Sequence, residues 1–342
     1  MRKKSVSWAR LFTVTALLVS LFVWPNATVG QAASTTSFSG QATAVQANVL
    51  GIKTVLADTG PLPPSGGAQQ TSLLTASVPQ LISAEVLHAT TVGQGDRSRS
   101  EASVASVNLT VGGNTISADL LMARAMAVCA SGGPSANGSS EIVGLVVNGQ
   151  TIAVGGQPNQ PVALPGGGSI IVNEQNSSRA GDITVNALHV IVPGAADVVI
   201  SSAHADITCP PPGQASCSGS DFVTGGGWIT TPSGAKGSLA VAGGVKGGAF
   251  WGHLEYRDHS SGGPSVHGTG VTAYTVTPGS TSRHIEGTAE VNGQSGFTYK
   301  ADVADNGEPG KDSDTFTVNL SNGYTAGHTL GAGNIQLHQP CQ

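Results

Sequence analysis

The chain has 342 residues, 48 of them Gly and 18 Pro, and only 10% are charged, against roughly 25% in ordinary soluble domains. This composition excludes a coiled coil or helical repeat, which needs abundant Glu, Lys and Arg, and a highly charged disordered tail. The formal charge of −5 argues against nucleic acid as a partner, leaving a Gly/Ser/Thr/Val-rich chain typical of exported β-structure.

Residues 1–32 have the three parts of a secretory signal: basic Arg2, Lys3, Lys4 and Arg10, a mainly apolar run from Leu11 to Trp24, and small residues up to Ala32. The apolar run is short for a membrane span, which needs about 20 residues. Cleavage after Ala32 would remove four of the 15 Lys and Arg and none of the 20 Asp and Glu, giving a mature charge of −9. The expectation is a secreted, extracellular protein with no membrane span in the mature chain. Any cell-surface association would be without a covalent anchor.

Residues 34–209 read as strands. Ala102–Val111 mixes apolar and small polar residues at near-period-two spacing, Gly112-Gly113-Asn114 turns the chain, and Thr115–Ala118 resumes it. Leu145–Val147, Asn148-Gly149 and Thr151-Ile152 repeat the device, and Asn-Gly between β-branched residues is a strong hairpin signal. The shared pattern L-x-V-x-G-x-T-I reads as two convergent hairpins rather than an internal repeat. Ala118–Ala130 has helical propensity, but alternation of Leu120, Met122, Arg124, Met126 and Val128 favours a strand. Ser169–Asn173, Ile183–Val192 and Asp197–Ile207 are further strands.

Cys209-Pro210-Pro211-Pro212-Gly213 opens a stiff linker, residues 210–216, before a second β-domain, 217–342. The aromatic content changes here. Between Ser34 and Cys209 stands only Phe38, whereas ten aromatic residues fall between Phe222 and Tyr324. The second domain opens on Gly225-Gly226-Gly227-Trp228-Ile229, and strands follow at Phe250–Asp258, Val266–Val276, His284–Val291, Gly296–Val303, Thr315–Leu320 and Asn334–His338. The fold class expected is all-β, with two domains of sandwich or barrel type. Four cysteines allow three pairings. In an exported chain the simplest is one bridge per domain, Cys129–Cys209 and Cys217–Cys341.

Several segments resemble the choice-of-anchor P family of bacterial surface proteins. They are Ala57-Asp58-Thr59-Gly60-Pro61-Leu62-Pro63 with Ser65-Gly66-Gly67, Gly144–Gly149, Pro158-Asn159, Asn173-Glu174-Gln175 and Ile183–His189. The second domain resembles the post-COAP module. Its matching segments are Phe222–Ile229, Gly252–Tyr256 with Asp258-His259, Asp305–Gly310 and Gly331–His338. The resemblance covers nearly all of the mature chain. It implies an exported protein of a Gram-positive-type bacterium and supplies no catalytic residues.

Candidate chemistry concentrates in the second domain. On a strand, His253, Glu255, Arg257 and His259 share one face, with Asp258 beside them and His267 on the expected partner strand. Two His and a carboxylate could hold Zn or move protons. Arg257 argues instead for a solvated face with an Arg–Glu pair. Asp302, Asp305, Asn306, Glu308, Asp312 and Asp314 are oxygen donors suited to Ca²⁺, although Asp-Asn-Gly-x-Pro-Gly is also ordinary turn chemistry. Trp228, Trp251, Tyr256 and Tyr274 could stack on sugars or fill the core. Asp58-Thr59-Gly60 reads as a turn, and Asn173-Glu174-Gln175 as a tight turn after a strand whose amides bond backbone. The function expected is non-catalytic binding or structural display, with a cell-surface, glycan or protein ligand and no required cofactor. A carbohydrate-binding module is the alternative, and a glycoside hydrolase a third.

Overall fold

The computed structural model describes residues 35–211 and 219–339. The leader, most of the linker, and the Cys217–Cys341 pairing lie outside the described residues. In chain order the strands are β1 (Ser37–Val49), β2 (Ile52–Asp58), β3 (Gly67–Val78), β4 (Ile82–Gln94), β5 (Arg97–Val111), β6 (Asn114–Ala130) and β7 (Gly133–Val143). There follow β8 (Val146–Val147), β9 (Gln150–Thr151), β10 (Gln160–Ala163), β11 (Ser169–Asn176), β12 (Asp182–Val192) and β13 (Ala196–Thr208). After the linker come β14 (Phe222–Thr230), β15 (Lys236–Lys246), β16 (Ala249–Asp258), β17 (Ser265–Val276), β18 (Ser282–Val291), β19 (Gln294–Ala304), β20 (Thr315–Leu320) and β21 (Thr325–His338). Among the described residues no helix is long and apolar enough to cross a membrane.

The first thirteen strands form two sheets. One has the order β10-β11-β12-β13-β1-β2; the other runs β3-β4-β5-β6-β8-β9, with β7 also paired to β6. They pack face to face as a sandwich, with β1, β12 and β13 against β4, β5, β6 and β7. Alternation explains the core. Val104, Leu121, Ala123 and Ala125 of the seven-stranded sheet meet Val185, Leu188, Val198 and Ile200 of the six-stranded one. Ala118–Ala130 is therefore strand, within the 17-residue β6. The Cys129–Cys209 bridge forms as expected, tying the end of β6 to the residue after β13.

The two hairpins sharing L-x-V-x-G-x-T-I lie side by side. Ile116 pairs with Val147, and the Asn148 side chain accepts the Thr115 N–H and donates to Asn114. Asn148 and Gly149 have φ of 50° and 77°, as a two-residue turn of this kind requires. Asn173-Glu174-Gln175 stands inside β11, not after it. Asn173 has φ 51°, and the Asn173 and Gln175 amides donate to the Gly156 and Gly138 carbonyls. Asp58 accepts from Gln41, Thr43 and the Gly60 N–H, which makes it a turn anchor.

Strands β14 to β21 close into an eight-stranded antiparallel barrel by pairing β14 with β21. Its aromatics are mostly interior: Tyr256, Tyr299 and Phe316 are fully enclosed with Leu254, Val266 and Ile335. Gly227 and Gly333 face each other across the closure. A Cβ on either would lie 2.1–2.2 Å from the opposite backbone, so this seam admits no side chain on that rung. The barrel lies against the outer face of the seven-stranded sheet, with β14–β17 on β3, β4 and β5, and β21 on β6 and β7. That sheet is thus covered on both sides.

Candidate functional site

The histidine strand runs along this junction. Leu254 and Tyr256 of β16 point into the barrel, so His253, Glu255 and Arg257 point out toward the sandwich. His253 meets His88 of β4 with ring centroids 5.5 Å apart. Both rings are buried, and none of their four nitrogens has a hydrogen-bond partner among the described residues. Burial pushes the His88 pKa down to about 4 and that of His253 also well down, so both are neutral near pH 7. Glu255 pairs with His267 as expected, its Oε1 2.7 Å from Nδ1, and also accepts from Ser72 at 3.4 Å. Burial raises the Glu255 pKa to about 7.

The rest of the face is engaged across the junction. Arg257 and His259 both reach Glu85 of β4, and His259 Nε2 meets Ser238 Oγ at 2.9 Å. The face is therefore covered at His253 and Glu255 and open at His259 and His267, with Arg257 half-buried and paired with an acid of the sandwich. Asp258 accepts from Tyr324 and the Ser260 N–H. Tyr256 presents no ring face to a ligand, because it is enclosed in the barrel and bonded to Tyr324 at 2.8 Å. The Tyr274 hydroxyl donates to Asp221. Lys236 Nζ sits 5.1 Å from the Trp228 ring centroid. Trp251 packs edge-on against Phe222 at 5.6 Å and lines a cavity of about 450 Å³ with Phe38. That cavity is bordered by Thr35 and Gly219, next to the segments outside the described residues.

The acidic loop after β19 is held mainly by backbone amides. Asp314 is buried; one carboxylate oxygen accepts the Asn306 and Gly307 N–H groups and the other accepts that of Ile335. Burial raises its pKa to about 6. Asp305 accepts the Leu337 N–H, Asn306 donates to the Ser313 carbonyl, and Asp302 turns away to His284. Asp312 occupies a turn with φ 62°. Among the described residues no three His, Cys, Asp or Glu side chains are grouped to hold a metal ion. Glu308 faces neither the loop interior nor His284.

Glu308 lines a cleft of about 450 Å³ between the seven-stranded sheet and the barrel. The sheet wall consists of two cross-strand rows. One is Thr90, Glu101, Arg124 and Ser139; the next is Val92, Arg99, Met126 and Asn137. Period-two geometry puts each row on one face of β4, β5, β6 and β7. Thr224 of β14, Gln336 and His338 of β21, and the Glu308-Pro309 loop form the other wall. Asn334 stands behind it, fully buried. Its Oδ1 accepts the Gly310 N–H, which fixes the amide so that Nδ2 donates to Glu101 Oε2 at 3.5 Å and to Glu308 Oε1 at 3.4 Å.

The cleft's charges are incompletely satisfied. Arg99 Nε, Arg124 Nη1 and Glu101 Oε1 are buried without a hydrogen-bond partner among the described residues. Glu101 is 7% exposed, and burial pushes its pKa up to about 8, so it is mostly a neutral acid at pH 7. Burial also raises Glu308 and lowers Arg99. His338 is buried, stacked on Phe222 at 4.5 Å and bonded to Thr224 at 2.9 Å. Desolvation lowers its pKa well below the ordinary value.

Sequence reasoning missed this site. It began a strand at Ala102, one residue after Arg97-Ser98-Arg99-Ser100-Glu101. In a chain with so few charges, three charged residues at period two were the available signal. Comparison of the chain with protein-family models, with curated proteins and with solved structures finds no match.

Proposed function

We propose that the chain is an exported, non-catalytic β-protein that acts by binding, and that the cleft between sandwich and barrel is its ligand site. One observation carries this reading. Arg99, Glu101 and Arg124 line a cleft of about 450 Å³ while retaining buried polar atoms that no group among the described residues satisfies. Such atoms cost about 1–3 kcal/mol each when left unmade, and ligand sites combine apolar walls with a few convergent polar groups. The Cys129–Cys209 disulfide supports an oxidising compartment. The basic and apolar leader and the choice-of-anchor P resemblance support display at a bacterial surface.

The test is a glycan-array and thermal-shift screen of the oxidised protein, repeated with an Arg99→Gln/Arg124→Gln variant. At least one ligand is expected to bind wild type and be lost in the variant. Binding untouched by the two substitutions, or no binding at all, would overturn the cleft as the site.

A second reading, glycoside hydrolysis, is favoured by the shared contact of Glu101 and Glu308 with one Asn334 amide. Paired carboxyl groups with one held protonated are the parts such hydrolysis uses. Release of aryl alcohol from an aryl-glycoside panel, abolished in Glu308→Gln, would replace binding with catalysis.

A further inference from the structure

The donors of the cleft select among ligands more narrowly than its volume does. Arg99 and Arg124 sit on adjacent strands. Because Glu101 is the register partner of Arg124, and Arg99 that of Met126, the two arginines are diagonal neighbours, about 7–8 Å apart in sheet geometry. A guanidinium stays charged throughout the accessible pH range, and its planar fork matches a carboxylate. Here each has a buried N–H without an acceptor among the described residues.

The acids of the cleft do not fill that role. Glu101 offers Oε2 to Asn334 and keeps Oε1 unpartnered. With its pKa raised by burial to about 8, it stands as a hydroxyl donor rather than a counter-ion. Glu308 is turned to the same Asn334. Around neutral pH the cleft therefore presents two cations, one neutral acid and at most one anion. Ser139 and Asn137 add further hydrogen-bonding groups at its rim. Glu308, Asp305 and Asp96 attract Arg99 through space without bonding its buried N–H; a polyol would offer the two guanidinium groups only neutral acceptors, whereas a carboxylate offers two charged oxygens with about four acceptor positions.

Resting on the cleft being a binding site, we propose that it binds a ligand carboxylate between Arg99 and Arg124. That carboxylate could belong to a small free acid or to a uronate unit of an acidic glycan.

The experiment titrates the full oxidised chain with succinate, D-galacturonate, tri-galacturonate and D-galactose by calorimetry, with backbone amide shifts followed by NMR. Binding of one or more carboxylates and none of galactose is expected, with shifts centred on Asn137, Gly138 and Ser139. Arg124→Gln should weaken binding by about tenfold or more, and Arg124→Lys by less. Succinate binding as tightly as galacturonate would assign a small free acid. Preference for tri-galacturonate would assign an acidic glycan. The wild-type shift map keeps the test decisive if a variant fails to fold. Galactose binding as well as galacturonate, with shifts in the same residues, would overturn the carboxylate inference and leave the cleft as a binding site. No binding by any carboxylate, or shifts elsewhere, would overturn the inference. Shifts elsewhere that persist in the arginine variants would also remove the cleft reading.

Discussion

The barrel interior and the cleft treat arginine differently. At the barrel, the Arg283 side chain has no exposed surface and is fully engaged. Its Nε donates to Asp221 Oδ1 at 2.7 Å, and Nη1 donates to the Ser280 and Ser282 carbonyls. Tyr274 and Gln339 complete the shell around Asp221. In the cleft, Arg124 Nε donates to Ser139 Oγ at 3.3 Å, but Arg99 Nε and Arg124 Nη1 are buried with no acceptor among the described residues. At Arg283 every guanidinium nitrogen is bonded, which is not so everywhere outside the cleft: Arg97 and Arg257 each have a buried Nε without a hydrogen bond among the described residues, although each lies beside an acid. On the proposed binding reading, the unmet donors along one face of β5 and β6 are left for a ligand.

The sharpest way to break this contrast is at Asp221. Asp221→Ala should destabilise the protein by about 4 kcal/mol, because it strands the Arg283 charge. Urea denaturation measures this, and a loss below about 1 kcal/mol would place the barrel arginine in the same category as those of the cleft. The next effect lies at the closed part of the junction. The folded pKa of His88 is about 4, below the ordinary 6.5. Its contribution is therefore present above pH 6.5 and lost as pH falls toward 4, amounting to about 3 kcal/mol. His88→Leu should shrink the stability difference between pH 7 and pH 4 by about that amount, and an unchanged acid slope would refute the assignment. The smallest effect is expected in the cleft. Without ligand, Arg99→Met should be neutral or stabilising by about 1 kcal/mol. A clear destabilisation on chemical unfolding would mean that Arg99 has a structural role after all.

Much of the fold was legible because its signals are local. Asn148-Gly149 and the alternation through β6 fix hairpin and strand without reference to distant residues. The β1–β2 hairpin was not legible. Its turn is Leu50-Gly51, with Leu50 at φ 50°, and Leu carries no turn signature. Long strands such as β3 and β7, rich in Gly, Ser, Thr and Gln, lack a strong apolar period.

The candidate site divides the same way. That His253, Glu255 and His267 come together follows from period two and one short turn. What covers them does not, since Ser72, Glu85 and His88 lie far away in sequence. Tyr256 illustrates a parity problem. It follows Glu255 directly, so the strand that presents Glu255 to the sandwich must turn Tyr256 into the barrel. The cleft needed a further kind of information, because Glu101 and Asn334 belong to different sheets and meet only when the barrel docks.

The closure of the barrel has a consequence for modular assembly. Phe222 and His338 are register partners, so the chain enters and leaves the barrel on neighbouring strands, about 4.8 Å apart. A unit whose doorway is one strand-spacing wide can be spliced into a host loop with little stretching of either flank. Its strands could equally be cut and rejoined in a new order, with fresh ends at the Gly247-Gly248 turn between β15 and β16.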